Sequence, residues 1–227
     1  MTRHLGKVSC TVIFILLLSL QAEAQSPDGA AAQSLSAMQN YRRGRELEAL
    51  GRMNEANTYY NEAIRICLDE VSRRAATPDT YAAITMTLRR QQKYAEVVSW
   101  GERALTFYPN EYRVMEMLGE AFFYLNNYER SLFYMQRYVN AMPEGERTSI
   151  AYFFVGEIYR ITERNHHADI AYTTALRIDP NNALWWYRLG SVREAVGDRR
   201  HAIDAYQRAL RLNPNYREAR IGLGRLQ

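Results

Sequence analysis

The chain has 227 residues with 29 basic and 25 acidic side chains, a net charge of +4, and only two cysteines, Cys10 and Cys67. So mild a charge argues against a nucleic-acid binder, which gathers its bases into a stripe; here the arginines come in short pairs such as Arg42-Arg43 and Arg89-Arg90, interleaved with glutamates. A disulfide-stapled fold is equally excluded.

Arg3 and Lys7 open the chain, and Val8 to Leu20 is an apolar run too short to span a bilayer comfortably. Ala22-Glu23-Ala24 follows with small residues two apart, the pattern of a signal-peptidase site. Residues 1–24 therefore read as a signal peptide cleaved after Ala24, which places the mature protein in a bacterial periplasm with no membrane span left. An uncleaved anchor is the alternative. Residues 25–36 are rich in Gln, Ser, Ala and Gly and read as a disordered linker.

From residue 37 the prolines keep time. Pro109, Pro143, Pro180 and Pro214 lie 34, 37 and 34 residues apart. Aligned on them, the chain divides into windows 37–70, 78–111, 112–145, 149–182 and 183–216. A fixed period of this length is the mark of stacked helical units. Glycine recurs at position 8 (Gly44, Gly119, Gly156, Gly190), where the missing Cβ lets a second helix approach. Alanine recurs at positions 20 and 27 (Ala202 and Ala209 in the last window), small for the same reason and without helix-propensity cost. Aromatics at positions 4 and 24, such as Trp186 and Tyr206, fill the space between them. Proline at 32 ends the second helix. Gly51 and Gly197 at position 15 suit the left-handed close of a first helix, and Asp198 can cap the next.

This pattern resembles the tetratricopeptide repeat, in which each unit is a pair of antiparallel helices. The resemblance implies an all-α, right-handed α-solenoid of five units, with residues 217–227 adding a C-terminal helix that lids the last one through Ala219, Leu223 and Leu226. Three departures stand out. The first window carries Arg43 at position 7 and Leu68 for proline, which reads as a terminal cap with one wet face, its second helix running past residue 70. The second has Thr85 at position 8 and Gly101 at 24, with Trp100 expected to take over the packing. The third has Tyr138 in place of alanine, expected to open the angle between units, and residues 146–148 form an insertion read as an extra turn.

Chemistry has little to stand on. His166, His167 and His201 lack a further ligand at metal spacing, no nucleophile–base pattern occurs, and the glycines are spaced for packing rather than for a phosphate. The sequence therefore points to no enzyme, no metal and no cofactor. Cys67 reads as a small buried residue, with pairing to another chain as the alternative.

The resemblance also implies a concave face lined by positions 2, 5, 6, 9, 12 and 13 of the first helices. Carried onto this chain, these give Tyr41, Arg42 and Arg45, then Met86, Arg89 and Arg90, then Glu116, Met117, Glu120, Phe123 and Tyr124. The fourth unit gives Phe153, Phe154, Glu157 and Arg160, and the fifth Leu184, Tyr187, Arg188 and Glu194. Exposed aromatics and Met117 clustered at the centre would make a groove for a peptide segment or helix of a partner protein. Packing of the same rings as core is the competing reading. Two further functions remain open: a self-assembling structural subunit, and a carrier of a small hydrophobic ligand. The lysine and asparagine positions of the family's carboxylate clamps are not matched here.

Overall fold

The computed structural model describes residues 35–227. The signal peptide and nearly all of the linker reading lie outside the described residues. Leu35 and Ser36 are described, and Ser36 belongs to the fold: its side chain caps the first helix and Gln39 returns the bond as a capping box.

The described chain is all-α, with eleven helices. They are α1 (Ala37–Ala49), α2 (Met53–Ser72), α3 (Pro78–Arg90), α4 (Tyr94–Phe107), α5 (Tyr112–Tyr124), α6 (Tyr128–Ala141), α7 (Thr148–Ile161), α8 (Asn165–Ile178), α9 (Ala183–Ala195), α10 (Arg199–Leu212) and α11 (Arg217–Arg225). The first ten form five helix-turn-helix pairs, and α11 packs on α9 and α10. Each second helix also packs on the next first helix. In addition α1 touches α3, α3 touches α5, and α5 touches α7, so first helices share one face of the stack.

The turn inside each pair repeats one design. The backbone is left-handed at position 15 in all five units: Gly51, Gln92, Asn126, Glu163 and Gly197. The next amide then reaches five residues back, as in Arg52 N–H to Leu47 and Asp198 N–H to Arg193. Only two of the five positions carry glycine, so Gln92 and Glu163 hold a conformation that a Cβ disfavours. Each proline acts from a distance: α4, α6, α8 and α10 all stop two residues before it, and the residue in between is extended or nearly so. With no proline to stop it, α2 runs on to Ser72.

Packing rests on glycine against tyrosine. A Cβ built on Gly44 would lie 2.4 Å from the Tyr60 ring, one on Gly156 2.6 Å from Tyr172, and one on Gly190 2.7 Å from Tyr206. The alanines on either side, such as Ala56, Ala63, Ala202 and Ala209, have no exposure. Arg43 stays on the wet face and pairs with Glu46, so the first unit keeps the common register.

One expectation needs correction. At Gly101 the space is filled by Leu118 of the next unit, 2.7 Å from an ideal Cβ, while Trp100 is only half-buried. A branched aliphatic chain reaches across because the glycine has moved from the first helix to the second. The insertion is an extra turn before the next helix, as the sequence suggests. Residues 142–147 make a non-helical turn and α7 begins at Thr148. That turn receives Tyr138: an added Cβ at Gly145 would stand 2.8 Å from its hydroxyl. The bulky residue and the three extra residues are one accommodation. Cys67 is fully buried, and burial pushes its thiol up to about 12.

Gly190→Ala is expected to cost about 1–3 kcal/mol by overpacking against Tyr206. Glu163→Gly, by relieving a left-handed residue, should add about 0.5–1 kcal/mol. Urea denaturation of each variant measures both.

Candidate functional site: the inner face of the first helices

Inner-register rings of the third and fourth units, flanked by Tyr94 and Trp185, join four units in one aromatic band. Tyr94 and Tyr124 stack at 4.5 Å, Phe123 meets Phe154 edge-on at 5.1 Å, Phe153 lies 6.0 Å from Phe154, and Phe153 stacks on Trp185 at 5.2 Å. Edge-to-face and offset contacts of this kind add to the stabilisation from burial.

The band is mostly sealed. Met117 and Phe154 are buried, at 2% and 7% exposure, as are Glu120 and Glu157. In the third and fourth units neighbouring first helices approach closely enough to cover positions 6 and 9, so these four residues form a floor rather than a contact surface. Phe123, Phe153, Met86, Tyr187, Arg89, Arg160 and Arg188 are half-buried. Tyr124 is the open ring of the set, at 48% exposure.

Glutamates of the first helices recur in one arrangement, Glu157 buried and Glu48 and Glu194 half-buried. Tyr60 donates its hydroxyl to Glu48 at 2.5 Å, and Arg90 of the next unit reaches the same carboxylate at 3.4 Å. Tyr206 donates to Glu194 at 2.5 Å, and Arg225 of α11 forms two bonds to it at 2.8 Å. Tyr172 donates to Glu157, which also faces Arg160 at 3.0 Å and Arg188 at 3.0 Å. In each case the phenol comes from the ring packed on the glycine. Burial first, and the facing carboxylate after it, push all three phenols above their ordinary range. Arg225 in turn holds Glu194 below the usual carboxylate range.

The third unit, with Met135 in place of tyrosine, is built differently. Glu116 and Glu120, one turn apart on α5, share the guanidinium of Arg147, which bonds Glu116 at 2.8 Å. Arg89 approaches Glu120 at 3.4 Å. Burial, reinforced by the neighbouring charge of Glu120, pushes Glu116 up to about 8 against the opposing pull of Arg147.

Five members were not singled out in the sequence: Tyr94, Arg147, Trp185 at position 3, Glu48 at position 12 and Arg225 of α11. Tyr94 belongs to a second helix, outside the inner register, and Arg147 sits in the off-period insertion. The insertion itself was the available signal for Arg147. A cleft of about 430 Å³ beside Tyr81, Arg103 and Phe107 was likewise not foreseen. Among the described residues no group of three or more His, Cys, Asp and Glu side chains converges as a metal site. No helix among them is long and apolar enough to cross a membrane. The site's carboxylates are committed to phenols and guanidiniums.

Tetratricopeptide-repeat family models match residues 40–70, 150–182 and 183–216. These are the three units that keep the glycine–tyrosine pair; the unmatched units carry Thr85 with Gly101, and Gly119 with Met135. Among curated protein sequences none matches this chain. Among solved structures, MamA from Desulfovibrio magneticus RS-1 is similar at 18% identity and a TM-score of 0.62, over 80% of this chain and 97% of that one. YrrB, described as a tetratricopeptide-repeat protein with an unusual peptide-binding site, is similar at 19% identity and 0.56, over 82% and 91%. A thermophilic tetratricopeptide-repeat protein from Thermus thermophilus, TTC0263, is similar at 17% identity and 0.61, over 84% and 98%. At such identities the likeness is one of fold.

A carboxyl that keeps its proton in the folded state and releases it on unfolding makes stability fall as pH rises between its two values. Stability should therefore decline from about pH 5 to about pH 8 more steeply in the wild type than in Glu116→Gln. Denaturant midpoints measured across that range compare the two slopes.

Proposed function

Because the chain is a tetratricopeptide-repeat protein, we propose that it is a non-catalytic interaction scaffold of a bacterial cell envelope, holding a segment of a partner protein across the inner face of its first helices. The observation that carries this reading is Tyr124. It is a large ring, half exposed, at the rim of a sealed aromatic band with arginines to either side. An exposed aromatic on a rigid, preorganised support loses little entropy on binding and is the usual chemistry of an interface anchor. The peptide-binding description of YrrB, which has the same fold, supports the same use of the stack. Export rests on the apolar run Val8 to Leu20 and the Ala22-Glu23-Ala24 site.

A second reading, self-assembly, is favoured by the exposed face of α11. On α11, Ile221 is 49% exposed and nothing lies within 4 Å of an ideal Cβ at Gly224.

The test is a photo-reactive residue in place of Tyr124, activated in the native cell, with the products identified by mass spectrometry. One dominant foreign protein is the expected result, and Tyr124→Ala should then weaken that complex by about 1–2 kcal/mol while leaving the helical content unchanged. Crosslinks between copies of the chain alone would favour self-assembly. No crosslink at all would count against the inner face as a contact surface.

A further inference from the structure

Positions 12 and 13 of the first helices form one rim of the inner face, and their chemistry changes from unit to unit. The second unit presents Arg89 and Arg90, the third Phe123 and Tyr124, and the fourth Arg160. Arg188, from the fifth unit, reaches over to the same carboxylate as Arg160. A segment crossing these helices meets cations, then an aromatic shelf, then cations again.

The glutamates beneath do not cancel this pattern at the surface. Side-chain exposure is 17% for Arg89, 31% for Arg160 and 28% for Arg188, against 3% for Glu120 and 7% for Glu157. In these pairs the guanidiniums lie on top and the carboxylates underneath; Arg90 instead shares the surface with Glu48, at 23% against 29% exposure. At the second station the charges are also unequal, since Glu157 alone faces two guanidiniums and the Tyr172 hydroxyl. The buried carboxylate fixes the two arginines in place, and one positive charge is left over for a ligand. A guanidinium held this way presents a fixed donor edge to an incoming carboxylate.

Resting on the inner-face reading above, we propose that the partner segment carries an apolar side chain for the Tyr124 shelf with an acidic side chain on each side of it, one for Arg89 and one for Arg160 and Arg188. A terminal carboxylate could satisfy one station only. Two stations on opposite sides of an aromatic unit call for acidic side chains within a continuous segment.

The test is selection of binders to the purified full chain from a random peptide library, followed by titration of the selected peptides, synthesised as C-terminal amides. The expected peptides place Asp or Glu on both sides of an apolar residue and bind about tenfold more weakly to Arg160→Gln. Their affinity should fall with added salt. Tyr124→Ala should lower the affinity and leave the salt dependence in place. Should Arg160→Gln disturb the fold, Glu→Gln replacements in the peptide test the same contacts from the other side. Selected peptides that are weakened by Tyr124→Ala yet are basic or uncharged would overturn the acidic assignment and leave the inner-face reading standing. Binding that is lost on amidation would identify a terminus and overturn it too. Peptides indifferent to both Tyr124→Ala and Arg160→Gln bind elsewhere, and selection of none that depends on either residue has the same meaning; both results sink the inner-face reading and this proposal with it.

Discussion

A tyrosine ring lying directly on a glycine backbone sets the geometry of this chain. At Gly44, Gly156 and Gly190 there is no room for a single methyl group. The ring therefore fixes how near the two helices of a unit stand, and fully buried alanines such as Ala56, Ala168 and Ala202 let the rest of the interface close to the same distance. Close packing of this kind tolerates little change in volume. Where one member changes, its surroundings change with it. Thr85 cannot receive a ring, and Gly101 takes Leu118 from the next unit instead. Tyr138 replaces a small alanine, and a three-residue insertion with Gly145 makes space for its hydroxyl.

The same tyrosines carry the packing through to the inner face. A buried phenol needs a partner, and a carboxylate on the first helix supplies it. The carboxylate, half-buried in Glu48 and Glu194, takes its counter-charge from an arginine of the following element. Tyr60, Glu48 and Arg90 make one such relay, and Tyr206, Glu194 and Arg225 another. Each links two successive units through groups that would be costly to leave unpaired. The arginines of the inner face are thus held by the same contacts that hold the stack together, so its recognition chemistry is rigid wherever its packing is rigid.

The central unit departs from this scheme, and the departure is concentrated where a ligand is proposed. Met135 replaces the tyrosine, so Glu116 and Glu120 have no phenol from that position and draw Arg147 out of the inserted turn. Close contact of α5 with α3 and α7 then buries Met117 and Phe154. The aromatic band becomes a structural spine, with Tyr124 at its exposed edge.

Much of the fold was legible in the sequence because it is periodic. Glycine at 8, alanine at 20 and 27, tyrosine at 24 and proline at 32 each state a local steric requirement, and repetition identifies them as such. Period and pattern were enough for the class, the pairing of helices and the turn at position 15. Exposure of the inner face was not legible in the same way. Phe123 and Phe154, at positions 12 and 6, both belong to the inner register, yet one is half-buried and the other sealed, because exposure depends on how closely the next unit's first helix lies. The arginine–glutamate partners were hidden for the same reason: Arg188 with Glu157, and Arg147 with Glu116, are 31 residues apart in sequence. Local sterics, which a sequence writes residue by residue, determined the repeat; the distance between neighbouring repeats, which no single repeat contains, decided which of its side chains a partner can reach.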